Sequence, residues 1–414
     1  MLFNIKVNKL FQPEVFLIRI FTNTIIRFNH YFINKIPAGM SLKNFLFAYA
    51  LILLSTEITA QNQVLKPGFD AIEFLDLLQV IETTHKDSIQ PGTRKGLTLK
   101  HELLYRSPEM GLKNRWEFWL REDGIGVISL RGTVQHASSW LENFYAAQIP
   151  ATGNLQINDS TNFKYKLSND EKAAVHVGWT LGLAHLGPDI KTMITSMNKE
   201  KNTTQFIIMG HSQGGALAFL VTSYLHYLSQ SNELPAGLNF KTYCSAAPKP
   251  GNMYYAYDFD FITRNGKAFT VVNTADWVPE SPFSVQIVND FNSGNPFSDI
   301  SSLLGSQKGI VKWYLKSMYN KMDKGTLKAQ QRLDKYLGHK VYGQVKKVLP
   351  QFREPDYAET SNYMRAGIPI VLQPDEEYKS IFPDDPKKTF MHHAFKPYEM
   401  MIKKYYPGNT VTAQ

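Results

Sequence analysis

A chain of 414 residues, 43% of them apolar, has room for one large or two ordinary domains and enough apolar side chains for a sizeable core. Its one cysteine, Cys244, excludes an intramolecular disulfide framework and lies in an apolar, strand-like run, where it reads as a buried small hydrophobe. The net charge of +9 is local: Lys308 to Lys347 holds eleven basic and two acidic residues, so the charge does not follow a nucleic-acid-binding fold and no nucleic-acid partner is expected.

Residues 1–60 differ from the rest. From Met40 a lysine, the apolar run Phe45 to Leu54 and the small residue Ala60 ahead of Gln61 have the order of a secretory signal, which predicts a secreted or periplasmic protein cleaved after Ala60. Residues 1–39 then read as a spurious extension upstream of the true start. The alternative is that Val15 to Ile26 and Phe45 to Leu54 anchor the chain to a membrane. Losing residues 1–60, with six basic and two acidic residues, leaves a charge of +5.

Residues 61–414 read as one domain. Phe69, Phe74, Leu78 and Ile81 predict an amphipathic helix near 68–84, and Asp123-Gly124 between two strand-like runs, 115–122 and 125–130, predicts a hairpin. An irregular, lid-like region follows at 134–172, then a helix over 171–196, interrupted near Gly187-Pro188. Gln205 to Met209 is a strand, with a helix after it to about Leu228. Further strands are expected at 240–245, 268–273 and 368–372, with a basic helical insertion at about 300–350 broken at Gly325, Gly338 and Gly343. A helix ends the chain near Tyr406. Strands alternating with helices imply an α/β fold with a mostly parallel central sheet covered on both faces.

Strand, Gly210-His211-Ser212-Gln213-Gly214 and helix together form a sharp turn with a serine at its apex. A serine hydroxyl is a poor nucleophile until a base takes its proton, and this turn exposes it beside backbone N–H groups. In an α/β-hydrolase the acid and then the histidine follow the serine, each after a strand. Asp276, three residues past Asn273, fits the acid, against the competitors Asp258, Asp260, Glu280 and Asp290. His392 and His393 follow the last strand and compete for the base, while His339 falls in the basic segment and reads as a surface residue. Two donors must hold an oxyanion: the N–H of Gln213 and that of Thr133, whose hydroxyl adds a third.

Six motifs in order carry a family resemblance: Leu130-Arg131-Gly132-Thr133; Trp140-Leu141-Glu142-Asn143; Val175-His176-Val177-Gly178-Trp179; Gly210-His211-Ser212-Gln213-Gly214-Gly215; Ser245 to Gly251-Asn252; and Val271-Val272-Asn273-Thr274-Ala275-Asp276-Trp277-Val278-Pro279. The chain resembles the class 3, or fungal-type, lipases over about 68–280 and more loosely from 362 to 398. The resemblance implies Ser212 as nucleophile, Asp276 as acid, and Thr133 with Gln213 as oxyanion hole. It favours His393 as base, because His393 precedes Tyr398 by the five residues usual in the family, with His392 as alternative. It also implies a lid, for which Trp140, Leu141, Phe144 and Tyr145 are candidates. The expected activity is hydrolysis of acylglycerols or other esters with transient contact at a lipid interface and with no metal or organic cofactor. A phospholipase or soluble-ester esterase is the near alternative, and a non-catalytic lipid- or partner-binding module the distant one. Two long insertions, after Thr133 and after Asp276, depart from the family pattern.

Overall fold

The computed structural model describes residues 65–407 except 293, 296, 298–303 and 306–308. The candidate signal at 40–60 and the upstream 1–39 lie outside the described residues. The chain divides into two units, 1–61 and 62–414, and every element below belongs to the second. Among the described residues no helix is long and apolar enough to cross a membrane.

Eight strands form one sheet in the order β1 (Arg94–Lys95), β2 (His101–Arg106), β3 (Trp116–Arg121), β4 (Gly126–Leu130), β9 (Gln205–His211), β10 (Asn239–Ser245), β11 (Ala268–Asn273), β12 (Ile368–Leu372). The first four pair antiparallel and the rest run parallel from β4 onward. This is the α/β-hydrolase arrangement.

Alternation builds the two cores. On β9, Phe206 and Ile208 enter the cluster beneath α3 (Val177–Lys201), α4 (Gln213–Gln230) and α5 (Met253–Ile262), while Ile207 and Met209 enter the one beneath α1 (Ala71–Thr83) and α9 (Phe395–Tyr405). Successive side chains of a strand point to opposite faces, so an unbroken apolar run marks a strand covered on both.

Several local expectations are corrected. Residues 174–176 form β8 (Ala174–His176), and α3 then runs through Pro188 without a break. The lid-like region 134–172 is mostly regular structure: after α2 (Ala137–Phe144) come β5 (Gln148–Pro150), β6 (Thr152–Gln156) and β7 (Asn162–Lys166), whose Leu155, Phe163 and Tyr165 belong to the larger core. Between the strands expected at 240–245 and 268–273 lies α5, where the sequence predicts no element. In the basic insertion α6 (Gly309–Leu333) passes through Gly325, a π-helical turn (Asp334–Lys340) takes up Gly338, and α7 (Val341–Val348) passes through Gly343. Glycine costs a helix only about 1 kcal/mol, which neighbouring turns absorb.

One buried ionic cluster ties α1 to the sheet. Glu73 meets Arg121 Nη1 and Lys241 Nζ, each at 2.7 Å, and accepts from the Tyr243 hydroxyl at 2.7 Å. Burial alone would raise its carboxyl, but Lys241 and Arg121 outweigh that and hold it below the ordinary carboxylate range. Glu73→Gln would leave buried Lys241 without a carboxylate and Arg121 with Asp123 alone, at 2.9 Å, and is expected to cost about 3 kcal/mol in urea denaturation at neutral pH. A depressed carboxyl stabilises above its unfolded pKa of 4.5 and loses that contribution as pH falls. The gap between wild type and variant should therefore close progressively below that pH.

Candidate active site

β9 passes to α4 through a reversal with Ser212 at its apex, at φ +61° and ψ −130°. A non-glycine residue in this region costs of order 1–3 kcal/mol and stays there only when its surroundings hold it. Here the Ser212 N–H donates to the Ser245 carbonyl at 2.9 Å, and its own carbonyl accepts from Ala216 N–H at 3.1 Å. A methyl group on Gly210 would collide with the Gly214 carbonyl, and one on Gly214 with the Leu130 carbonyl. Backbone crowding around the serine therefore explains both glycines.

Asp276 follows β11 and is 2% exposed. Its Oδ2 lies 2.7 Å from His393 Nδ1 and accepts from the Tyr398 hydroxyl at 2.8 Å, while Oδ1 accepts from Val278 N–H at 3.0 Å. With Nδ1–H committed to a carboxylate, His393 carries its free lone pair on Nε2. His393 and Ser212 line the same cavity. His392 points elsewhere: its ring bridges the Tyr378 hydroxyl at 2.8 Å and Asp384 at 3.0 Å. The other candidates also have separate partners. Asp258 accepts from Tyr227, Asp260 from Gly367 N–H and Asp290 from Thr360, and His339 pairs with Glu354. Glu280 lies at the cavity but is not joined to a histidine.

His211, within the elbow motif, has a structural task that the motif did not suggest. Its Nε2 lies 2.8 Å from the His393 carbonyl, which can only accept, so Nε2 carries the proton and Nδ1 accepts from the Ser245 hydroxyl at 3.0 Å. Burial and the neighbouring His393 push His211 well below the usual histidine range, so the ring is neutral. It ties the His393 loop to the serine strand. Tyr398 likewise had only a spacing to its credit, and the bond to Asp276 supplies the reason for that spacing.

Thr133 and Gln213 meet beside Ser212. The Thr133 hydroxyl donates to Gln213 Oε1 at 3.1 Å and accepts from Asn143 Nδ2 at 2.9 Å. It is thus engaged rather than free as the third donor. Asn143 is itself oriented by Trp179 Nε1, which donates to its Oδ1 at 3.1 Å.

The cavity measures about 1120 Å³. Trp140, Phe144, Trp277, Phe283 and Phe390 form much of its wall, and Leu337 of the π-helical turn brings the insertion into it. Of the four candidate lid residues only Trp140 and Phe144 face this space. Leu141 packs on the main core and Tyr145 is fully buried, its hydroxyl 2.9 Å from that of Tyr357. An amphipathic helix anchored to the core on one side presents only its other side to the mouth. Among the described residues no group of three His, Cys, Asp or Glu side chains is placed to hold a metal ion.

Residues 127–286 match the family model of the class 3 lipases. A secreted mono- and diacylglycerol lipase of Malassezia globosa is 27% identical over 183 residues, which are 44% of this chain and 54% of that protein. A secreted mono- and diacylglycerol lipase of Fusarium solani is 26% identical over 158 residues, 38% of this chain and 39% of that protein. Among solved structures, the mono- and diacylglycerol lipase from Aspergillus oryzae aligns with a TM-score of 0.39 and 16% identity, over 52% of this chain and 76% of that one. The chain spans about half the length of the curated relatives it matches.

Tyr398→Phe removes one of the two partners of Asp276 Oδ2, and with it the acceptor of Asn273 N–H at 3.2 Å, without opening a cavity. Loss of a buried hydrogen bond to a charged acceptor should cost about 2 kcal/mol in urea denaturation. An unchanged midpoint would show that the hydroxyl does not hold the carboxylate.

Proposed function

We propose, from the match of residues 127–286 to the family model of the class 3 lipases, that this chain is a serine carboxylic-ester hydrolase acting on acylglycerols. The observation that carries the proposal is the His393–Asp276 pair, bonded through Nδ1 at 2.7 Å, on the cavity that Ser212 also lines.

The chemistry follows from these groups. Ser212 Oγ attacks the ester carbonyl carbon as His393 Nε2 takes its proton, and Asp276 stabilises the imidazolium through Nδ1–H. Negative charge collects on the former carbonyl oxygen, which the backbone N–H groups of Gln213 and Thr133 receive. Gln213 opens α4, so the helix dipole favours the same charge. His393 returns the proton to the leaving alcohol, and an acyl group remains on Ser212. Water, deprotonated by the same histidine, then releases the fatty acid.

An apolar wall suits acyl chains. Phe144 and Phe283, 55% and 81% exposed, stand at the mouth, where burial in a lipid surface would remove them from water. Transient contact with a lipid interface follows from that exposure. The relatives' secreted character and the order of residues 40–60 support export through a signal cleaved after Ala60. N-terminal sequencing of exported protein should begin at Gln61, and a retained Met1 would favour the anchor.

One observation favours phospholipid as a second substrate class. Lys249 lines the otherwise largely apolar cavity and makes no ion pair among the described residues. Burial and nearby Arg365 lower its pKa, against a smaller pull upward from Glu280. An anionic headgroup would give this cation a partner. A panel of monoacylglycerols, diacylglycerols, triacylglycerols, p-nitrophenyl esters and phosphatidylglycerol decides between the classes. Lys249→Met should lower hydrolysis of phosphatidylglycerol selectively if headgroup charge is read there.

Ser212→Ala should abolish both ester hydrolysis and fluorophosphonate labelling. His393→Ala should lower kcat by about 10⁴-fold or more, whereas His392→Ala should leave the chemistry standing. A folded wild type that neither labels nor hydrolyses any ester on the panel would refute the enzyme and leave the lipid- or partner-binding module.

A further inference from the structure

Glu142 lies on α2 directly before Asn143, is 0% exposed, and has no cation beside it. Asn114 Nδ2 donates to its Oε2 at 2.6 Å, but its Oε1 has no partner. Gln213 Nε2 faces this carboxyl and is also buried, yet no hydrogen bond of normal geometry joins the two. Leaving two such groups unpaired costs about 1–3 kcal/mol each. Both orphans lie beside the residues proposed to hold the oxyanion.

A single exchange removes both. The two ends of a glutamine amide occupy nearly the same shape, one accepting and one donating. With Oε1 toward Thr133, the Thr133 hydroxyl donates to it at 3.1 Å and Ser139 Oγ lies 3.4 Å away. With the amide reversed and a proton on Glu142, the Glu142 O–H donates to the Gln213 carbonyl, and the Gln213 NH₂ donates to the Thr133 and Ser139 hydroxyl oxygens. Asn143 Nδ2 already donates to Thr133 Oγ1 at 2.9 Å. Both lone pairs of that oxygen are then taken, and its proton is left free to turn toward the cavity.

Resting on the hydrolase reading above, we propose that Glu142 is a positioning residue whose protonated form turns the Gln213 amide and so releases the Thr133 hydroxyl as a third oxyanion donor. Ionised, Glu142 draws the NH₂ end of Gln213 toward itself, and the Thr133 hydroxyl is spent on Gln213 Oε1.

The surroundings favour the protonated form at neutral pH. Burial pushes the Glu142 carboxyl up to about 8, against smaller opposing contributions from Asn114 and Gln213. The loop before β3 presents Asn114, α4 presents Gln213 and Leu217, and α3 presents Gly182, where a methyl group would meet Glu142 Oε1. The flanking charges are paired away from it, Lys113 with Glu109 and Arg115 with Asp87. His176 at the start of α3 is stacked on Trp179 and held neutral by burial, at about 3.

The test follows kcat on a soluble p-nitrophenyl ester from about pH 6 to about pH 9.5. Wild type should lose about 100-fold as Glu142 ionises, the scale of one oxyanion donor, with KM little changed. Glu142→Gln keeps a neutral donor and acceptor in the same shape, so it should hold its rate at neutral pH and show no alkaline fall. Glu142→Ala and Thr133→Val should both be low across the range and no lower when combined. An alkaline fall that persists in Glu142→Gln, or a neutral-pH kcat in Glu142→Ala equal to wild type, overturns the proposal. Infrared difference spectra give a readout independent of turnover: a buried carboxylic-acid band should be present at neutral pH in wild type and missing from Glu142→Gln. Its absence from wild type refutes the proposal even if no ester is hydrolysed, whereas a present band with no hydrolysis refutes the hydrolase reading alone.

Discussion

Everything at this site depends on how closely three pieces of backbone approach one another at Ser212. The reversal from β9 into α4 puts Gly210 against Gly214, and Gly214 against Leu130 at the end of β4. Gly132 also comes close to the His211 carbonyl, though less tightly. That crowding holds Ser212 at a strained positive φ and brings the Arg131-Gly132-Thr133 loop to the first turn of α4. The placement of Ser212 at the cavity and of the two candidate oxyanion donors beside it are therefore consequences of one packing constraint. The order β4-β9-β10 sustains it, because β4 and β10 flank β9 in parallel register and the Ser245 carbonyl at the end of β10 takes the Ser212 N–H.

Around this point lies a layer of buried polar groups with directional hydrogen bonds. His211 is kept neutral by burial and spends its one proton on the carbonyl of His393, so the loop bearing the proposed base is referenced to the strand that leads to Ser212, the proposed nucleophile. Tyr398, fully buried, reaches Asp276 from the final helix. Buried polar groups with satisfied partners resist displacement because each broken bond exposes an unpaired group to a low dielectric. Glu142 differs from these neighbours in carrying an oxygen with no partner. A group of that kind in a dense polar layer points to a second arrangement of the same atoms.

The two long insertions turn out to be unlike each other. The one after Thr133 is largely a pair of small sheets fastened to the main core, and only the outer side of α2 reaches the cavity. The basic one after Asp276 contributes Leu337 to the cavity wall, while Gly338 packs against Ala147 and Tyr357. Both bear on the shape of the apolar space beside Ser212. Lys249 gives that space a charge that an apolar acyl chain does not require.

The sequence by itself determined the elements whose cause is local. A glycine-flanked serine between an apolar run and a helix has few other conformations open to it, and Asp276 three residues past a strand end must emerge at that strand's carboxyl edge. Thr133 and Gln213 were legible for the same reason. The spacing to Tyr398 favours His393, but only the tertiary structure shows that His393 bonds Asp276 while His392 bonds Tyr378, because adjacent residues in a turn point in different directions. Tertiary structure also divided the aromatic residues of α2, burying Tyr145 and leaving Phe144 outside, since short-range spacing gives a helix face but not what covers it. The tasks of His211, Tyr398 and Glu142 arise from partners between 28 and 182 residues away along the chain. No local pattern encodes a contact of that kind, because it exists only once β4, β9 and the final helix have closed around the same few ångströms.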